Sequence, residues 1–248
     1  MNISGNTILI TGGGTGIGRA LAEALQAEGN TIIVTGRREG LLKEVVAANP
    51  GMAYAVLDVS DAQAITAFAA QVMTEHPALN VVINNAGVMV AEDLLAEPFD
   101  LAVAEGMITT NLLGPIRLTA ALLPHLRQQP RATVMMVSSG LAFVPLTATP
   151  TYSATKAAIH SYSQSLRHQL RDTNIDVIEI SPPAVATDLM PGHAENPQSM
   201  PLDAYIAETV SVLKAHPTGP ENGVERVQFL RRAEASGTYD EVFTMLNG

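Results

Sequence analysis

Short runs of apolar and β-branched residues alternate along the chain with longer segments in which apolar residues recur every three or four positions. The short runs predict buried strands at residues 7–11, 31–34, 53–57, 81–83, 133–137 and 175–180. The longer segments predict helices at residues 17–28, 40–48, 62–75, 108–127 and 155–171. Strands that are apolar on both faces and separated by helices are typical of a parallel sheet covered on both sides. The pattern therefore predicts an α/β fold in which residues 1–248 form a single domain around one doubly wound sheet.

The pattern changes after residue 180, where prolines crowd the chain at positions 182, 183, 191, 197, 201, 217 and 220. One helix is predicted at residues 202–214, and two shorter ones at 223–237 and 238–247. Residues 216–220 are too few and too rich in proline to indicate a further strand. We therefore expect a helical C-terminal segment without a clear seventh strand. Within it, the loop and helix at 183–220 are expected to cover a ligand at the carboxyl ends of the strands.

Composition narrows the possible partners. The chain has 14 Lys and Arg against 24 Asp and Glu, a formal net charge of −10, which argues against nucleic acid and anionic membrane surfaces. It contains no cysteine, which excludes disulfides and thiolate metal sites. We find no signal-peptide pattern and no apolar run long enough to span a membrane. A cytoplasmic protein is therefore expected.

A glycine-rich turn follows the first predicted strand directly and opens the first helix, in the sequence TGGGTGIG at residues 11–18. Gly12 permits a tight turn, Gly16 lets backbone N–H groups approach a pyrophosphate, and Gly18 permits close packing of helix on strand. The turn predicts a Rossmann-type dinucleotide site, although a glycine-rich loop without a ligand would look similar. The residues expected to contact the dinucleotide here are Gly12, Gly14, Thr15, Gly16, Ile17 and Gly18.

The end of the second predicted strand bears on which dinucleotide is bound. The run VTGRR at residues 34–38 has no carboxylate to hold a ribose hydroxyl, and Arg37 offers a guanidinium to a 2′-phosphate. Arg37 and Arg38 are therefore predicted to favour NADP(H) over NAD(H), unless both are merely solvated side chains. Thr15 is not basic, so a second cationic contact at the glycine turn is not expected.

Tyr152 and Lys156 are four residues apart at the start of a predicted helix, which places them on one face. An adjacent ammonium would favour the phenolate and lower the pKa of the Tyr152 phenol, making it a usable acid–base group. Ser139, thirteen residues before Tyr152, follows a predicted strand, where its hydroxyl can hold a substrate oxygen.

Together these motifs resemble the short-chain dehydrogenase/reductase family over roughly residues 5–190. The matching segments are TGGGTGIG at 11–18, LDVS around Asp58, NNAG at 84–87, TTNLLGP around Asn111, VSSG ending at 140, and YSATK at 152–156. The resemblance implies that Tyr152 protonates a carbonyl oxygen, Ser139 positions it, Lys156 binds the nicotinamide ribose, and Asn111 holds a water of the proton relay. It further implies cofactor contacts from Asp58, Val59, Asn85, Ala86, Gly87, Pro182, Val185 and Thr187.

The motif after the sixth predicted strand departs from the family pattern. Pro183 stands where the family has glycine, in PPAVATDL at residues 182–189, which resembles the DltE-like branch of the family. Proline fixes φ and removes a backbone donor, so we expect a stiffer loop beside the nicotinamide.

The prediction is an NADP(H)-dependent oxidoreductase that acts on a small, apolar or neutral carbonyl or alcohol. The alternatives are a regulatory protein that binds the dinucleotide without turnover, and a serine hydrolase using Ser153 in the S-x-x-K run at 153–156.

His160 and His168 are expected to face solvent rather than share a metal, and no metal site is predicted. Met190 and Met200 are candidate pocket residues. The charge-poor helices at 108–127 and 155–171 predict a homodimer, with a tetramer as the larger alternative.

Overall fold

The computed structural model describes residues 1–98, 100–192 and 194–248. In this part of the chain seven parallel strands form one sheet in the order β3-β2-β1-β4-β5-β6-β7. The strands are β1 Thr7–Thr11, β2 Thr31–Gly36, β3 Ala53–Val56, β4 Leu79–Asn84, β5 Ala132–Val137, β6 Ile175–Ile180 and β7 Glu221–Asn222. The doubly wound, Rossmann-type parallel sheet is therefore confirmed. Its strand order reverses between β1 and β4, which opens a crevice at the carboxyl ends of these strands.

Helices flank the sheet on both faces. They are α1 Gly16–Ala27, α2 Glu39–Ala48, α3 Ala62–Glu75, α4 Leu101–Ile108, α5 Gly114–Leu126, α6 Pro150–Leu170, α7 Leu202–Ala215, α8 Gln228–Arg231 and α9 Tyr239–Asn247. A π-helical turn at Thr109–Leu113 joins α4 to α5. The helix predicted at 108–127 therefore begins seven residues earlier and is interrupted near its middle. In the described residues, no helix has both the length and the apolar character needed to cross a membrane.

Two apolar cores lie on opposite faces of the sheet, because successive strand residues point to opposite sides. Ile8 and Ile10 of β1 pack with α1, α2 and α7, whereas Leu9 between them packs with α3, α5 and α6. Both cores bury β1, β2, β4, β5 and β6 along their centres, which explains why those strands are apolar on both faces, whereas the edge strand β3 is only partly buried.

The sheet continues one strand further than expected. Glu221 and Asn222 pair with the end of β6, and the N–H of Ser181 donates to the carbonyl of Asn222 at 3.0 Å. The expectation of no clear seventh strand is thus corrected. A strand of two residues carries no periodic pattern, so its pairing depends on contacts that are remote in sequence.

The C-terminal segment also differs from its prediction. The helix expected at 223–237 is a 3₁₀ turn at Glu225–Val227 followed by the short α8. Helix α7 buries Tyr205, Ile206 and Val210 in the core beside α1, so it does not cover the carboxyl ends of the strands.

Candidate active site

A cleft with a volume of about 1080 Å³ lies at the carboxyl ends of the strands. It is walled by the glycine turn, the ends of β2, β4 and β5, the loop after β6, and residues of α8 and α9. Every residue predicted from the sequence to contact the cofactor or the substrate lines this cleft, with the exceptions of Asn111 and Met200. The loop part of the covering segment expected at 183–220 lines it as well, up to Gln198.

The glycine turn depends on residues without side chains. Gly12 and Gly16 have φ of +67° and +55°, in the region that favours glycine. A Cβ at Gly18 would lie 2.3 Å from the carbonyl oxygen of Gly12, so helix α1 could not start this close to β1 with any larger residue. The turn has the geometry expected from its sequence.

The N-terminus of α1 opens into the cleft. Thr15 is the N-cap in an extended conformation, and its side chain makes no capping hydrogen bond. The first N–H groups of a helix have no partner within the helix, and their partial positive charge suits an anion. On the facing strand, the N–H groups of Asn85 and Ala86 both donate to the hydroxyl of Thr11 at 3.0 Å, which fixes β4 against the turn.

Arginine side chains lie at the far end of the cleft from Tyr152. Arg37 and Arg38 both line the cleft, and Nη2 of Arg38 donates to the hydroxyl of Thr15 at 3.4 Å. Positive charge therefore does reach the glycine turn, contrary to the expectation based on Thr15 alone. Burial would raise the pKa of Asp58, but hydrogen bonds from the N–H and hydroxyl of Ser60, together with Arg37, hold that pKa below its usual value.

Ser139, Tyr152 and Lys156 meet at the floor of the cleft. Ser139 follows β5 and its hydroxyl caps a 3₁₀ turn, accepting from the N–H of Leu141 at 3.1 Å. Tyr152 and Lys156 are on the first turns of α6 and are almost fully buried. The ammonium of Lys156 donates to the carbonyl of Val137 at 2.8 Å and lies 5.6 Å from the centre of the Tyr152 ring.

The pKa of Tyr152 differs from the expectation. Burial raises it to about 12, and a hydrogen bond with Ser139 offsets this only in part. Burial also lowers the pKa of Lys156 to about 8. The predicted lowering of the phenol pKa by the lysine is thus wrong for this structure, because Lys156 donates to a backbone carbonyl and both side chains are shielded from water.

Asn111 lies behind the cleft wall, on the π-helical turn. Its side-chain oxygen accepts from the N–H of Val88 at 2.8 Å, and its amide donates to the carbonyl of Val88 at 2.8 Å. A Cβ at Gly87 would lie 3.4 Å from this oxygen and 3.7 Å from Nζ of Lys156. Asn111 therefore ties the irregular segment after β4 to the Lys156 side of the site.

The loop after β6 closes over the glycine turn. Val185 forms a parallel bridge with Met200, in which Ala184 and Ala186 use their backbone groups. Successive residues of an extended chain direct their backbone groups to opposite sides, so those of Val185 point away from Met200. Thr187 packs near Gly16, and the carbonyl of Pro182 accepts from the N–H of Gly140 at 2.8 Å.

The comparisons with known proteins agree with this arrangement. The family model described as short chain dehydrogenase matches residues 6–198. The chain belongs to the short-chain dehydrogenase family. As a member, it is an oxidoreductase of the NAD(P)-dependent dehydrogenase and reductase class.

A Bacillus subtilis (strain 168) protein described as "Uncharacterized oxidoreductase DltE" is 39% identical, over 100% of this chain and 98% of its own length. This similarity confirms the predicted DltE-like branch. The solved structure of a short-chain dehydrogenase from Streptomyces avermitilis has a TM-score of 0.83 at 28% identity, covering 98% of this chain and 96% of that one. A short-chain dehydrogenase from Burkholderia cenocepacia J2315 in complex with NADP has the same fold, with a TM-score of 0.83 at 23% identity and 99% coverage of both chains.

Other sequence expectations for this short-chain dehydrogenase need correction. Met190 lines the cleft, but Met200 is buried in the core beside α7. Ser153 is buried, and its hydroxyl accepts from the N–H of Leu146 at 3.3 Å. Its partner in the S-x-x-K run, Lys156, donates to Val137, so this geometry does not support the serine hydrolase alternative.

His160 does not face solvent as predicted. Its Nδ1 lies 2.7 Å from Oε2 of Glu179, a fully buried carboxylate that also accepts from the hydroxyl of Ser138 at 2.5 Å. Ligand atoms of His160, Glu179 and Glu221 lie within 4.8 Å of one another. Arg231 binds both oxygens of Glu221 at 2.8 Å, so a guanidinium already supplies positive charge beside these carboxylates. The pairing could not be read from residue spacing.

Sequence reasoning also missed the C-terminal wall of the cleft. Phe229 and Leu230 of α8, with Met245 and Leu246 of α9, line it from outside the segment that the family model matches. The only signal was the apolar spacing of residues 238–247, which predicts a helix but not its location.

Proposed function

We propose that this protein is an NADP(H)-dependent oxidoreductase that transfers a hydride between the nicotinamide and a carbonyl or alcohol carbon. The observation that carries the proposal is the continuity of one cleft, from the uncapped N-terminus of α1 to the buried group of Ser139, Tyr152 and Lys156. A dinucleotide needs both ends of such a cleft, one for its phosphates and one for its reacting ring.

The residues present fit the dinucleotide. The positive φ at Gly12 and Gly16 and the close approach of α1 to β1 that Gly18 permits shape the turn, and the missing side chain at Gly87 leaves space beside Asn111 and Lys156 that a Cβ would fill. We assign the phosphates to the glycine turn, including Gly14, Thr15 and Ile17. The adenine end is assigned to Asp58 and Val59, and the nicotinamide end to Asn85, Ala86, Gly87, Lys156, Pro182, Val185 and Thr187.

Tyr152 is proposed to deliver the proton. When bound, NADPH supplies the hydride to the carbonyl carbon and is oxidised to NADP⁺, while the oxygen takes a proton from the phenol and becomes a hydroxyl. The raised pKa of Tyr152 keeps the phenol protonated at neutral pH, which is the form that reduction requires. Ser139 would hold the oxygen, Lys156 the nicotinamide ribose, and Asn111 a water on the proton path.

The preference for NADP(H) rests on Arg37 and Arg38. Guanidinium groups bind phosphate with two parallel hydrogen bonds, and both arginines lie at the cleft end beside Asp58. A Schizosaccharomyces pombe relative, 30% identical over 75% of this chain and 74% of its own length, is described as an NADP-dependent 3-hydroxy acid dehydrogenase. That description supports the preference.

The test is NADPH oxidation, followed by absorbance, with a panel of ketones and aldehydes. We expect Tyr152→Phe to lower kcat by about 10²–10⁴-fold, the usual contribution of a positioned acid. Tyr162→Phe on the same helix is the matched control, because Tyr162 packs into the core under α6 rather than the cleft. An unchanged rate in Tyr152→Phe overturns the mechanism. Tight NADPH binding without reduction of any substrate in the panel favours the regulatory alternative.

Assembly and location are further parts of the proposal. The exposed side of α6 carries small and uncharged residues, among them Ala154, Ala157 and Ser161, which favours pairing of α5 and α6 with a second copy. Light scattering is expected to give the mass of a homodimer or, for the larger assembly, of a tetramer. A monomer mass at micromolar concentration contradicts this.

The cytoplasmic location and the single-domain organisation of residues 1–248 stay predictions, tested by cell fractionation and limited proteolysis.

A further inference from the structure

The part of the cleft beyond Tyr152 is bounded by apolar side chains. Tyr152 packs in one cluster with Met89, Leu141, Leu146 and Met190. Across the opening, α8 and α9 contribute further apolar side chains to the same cleft. Met245 of α9 lines the cleft and is 68% exposed, so an apolar ligand there would remove its side chain from water.

Lys156 is the one charged group that the structure places directly beside this apolar cluster among the described residues, 5.6 Å from the centre of the Tyr152 ring. Among the described residues that line the cleft, Arg37, Arg38 and Asp58 are at the adenine end, and Lys156 is bonded to Val137. Asp188 and Arg226 are exposed at the rim, and Nη2 of Arg226 donates to the carbonyl of Gln198 at 2.6 Å. A substrate whose charged group reaches the apolar side chains of this cluster would therefore have to bury that charge against them, at high cost.

Helix α9 packs through Tyr239, Val242, Phe243 and Leu246 against a small apolar cluster around Val144 and Leu230, and an asparagine at its end fixes it to the substrate side of the cleft. Helix α9 has no fully buried residue, but the side-chain oxygen of Asn247 accepts from the N–H of Thr147 at 2.7 Å. Its amide donates to the carbonyl of Pro145 at 3.1 Å. The two anchored backbone groups flank Leu146, which packs with Tyr152, so Asn247 ties the end of α9 directly to the substrate side of the site.

We propose that the substrate is an uncharged ketone or aldehyde whose hydrocarbon part lies between Met190 and the Met245–Leu246 face of α9, with Asn247 as the positioning residue of that wall. The proposal rests on the oxidoreductase function proposed above. It adds a substrate class and assigns its recognition to the C-terminal segment outside the family match.

The first experiment measures kcat/KM for NADPH oxidation by unbranched methyl ketones from butanone to octanone, with an oxo acid of matched length. We expect kcat/KM to rise up to about fourfold for each methylene, the gain from burying that group, and to be lowest for the oxo acid. Turnover that is independent of chain length, or faster with the oxo acid, overturns the substrate class but leaves the oxidoreductase function standing. No reduction of any carbonyl compound overturns both.

The second experiment changes Met245, which lies on the α9 side of the cleft. Met245→Glu is expected to raise KM for octanone about tenfold or more while kcat and the Kd for NADPH stay within about twofold. Met245→Leu, which keeps the apolar surface, is the matched control and should retain the wild-type dependence on chain length. Equal effects of the two variants, or an octanone KM that Met245→Glu leaves unchanged, exclude Met245 from the substrate wall.

The third experiment addresses Asn247. Asn247→Ala should reduce the gain per methylene, so that octanone loses most of its advantage over butanone, while the butanone rate and NADPH affinity are retained. A purely structural role would lower all rates together, so a uniform loss overturns the positioning role. Thermal unfolding of each variant verifies that the core has folded.

Discussion

Burial of the charged Lys156 side chain destabilises the folded protein, and a single substitution can remove this effect. The pKa of Lys156 is lowered from 10.5 to about 8 by burial alone. At about 1.4 kcal/mol for each pKa unit, keeping this side chain charged at neutral pH lowers the free energy of unfolding by about 3 kcal/mol. Methionine has a similar length and no charge. Replacing Lys156 by methionine removes that cost but also removes the hydrogen bond to the carbonyl of Val137, which contributes about 1–2 kcal/mol.

We therefore expect Lys156→Met to stabilise the cofactor-free protein by about 1–2 kcal/mol at neutral pH, a rise in Tm of a few degrees. NADPH oxidation should fall by at least about a hundredfold, because the group proposed to hold the nicotinamide ribose is lost. Such a trade of activity for stability is common at functional sites.

The dependence of stability on pH provides a second test of the same prediction. Between about pH 8 and pH 10.5 the unfolded lysine binds a proton that the folded lysine has released, so the stability of the wild type rises with pH in this window. The variant has no such group, and its advantage should shrink as the pH rises. Tyr152 is present in both proteins, so its own titration cancels in the difference.

The assay is urea unfolding of both proteins at several pH values, without cofactor. Lys43→Met is the matched control, since Lys43 is exposed and paired with Glu39 at 3.1 Å; it should change stability by less than about 0.5 kcal/mol at any pH. If Lys156→Met is less stable than the wild type at neutral pH, and the difference does not narrow between pH 8 and pH 10.5, the burial argument is refuted.

Three further substitutions test other parts of the site. Gly18→Ala places a Cβ 2.3 Å from a backbone carbonyl of the turn, so the NADPH affinity measured by calorimetry should fall more than about tenfold. Gly40→Ala is the control, because a Cβ there would meet open space. It should retain NADPH affinity and stabilise α2 by up to about 1 kcal/mol. Arg37→Ala should weaken NADPH binding about tenfold while NADH binding changes little, and equal losses for both would refute the 2′-phosphate role. Glu179→Ala leaves His160 without its partner and should cost about 3 kcal/mol in urea unfolding, so a loss under about 1 kcal/mol would show that the buried pair contributes little.

Local sequence determined the sheet, the glycine turn and the order of the chemical groups. Buried strands need apolar residues on both faces, and α1 can start beside β1 only if Gly18 lacks a side chain. Both requirements depend on consecutive residues. The first six strands were therefore predicted to within a few residues, and the glycine turn and the residues at the strand ends that line the cleft were recognised. The site residues come from the ends of several strands, and the strand order of such a sheet brings those ends together.

Tertiary structure decided what depends on partners remote in sequence. The two residues of β7 become a strand only because they pair with the edge of β6. Helix α9 reaches the cleft because its apolar side chains pack against Val144 and Leu230 and because Asn247 binds the loop at Pro145 and Thr147. The phenol of Tyr152 has a raised rather than a lowered pKa because burial outweighs a lysine whose ammonium is bonded elsewhere. Periodicity and spacing report which face a residue occupies, whereas burial and hydrogen-bond partners exist only once distant segments have packed. The reactive groups could therefore be predicted from the sequence. Tertiary packing decided their protonation and formed the wall that faces the substrate.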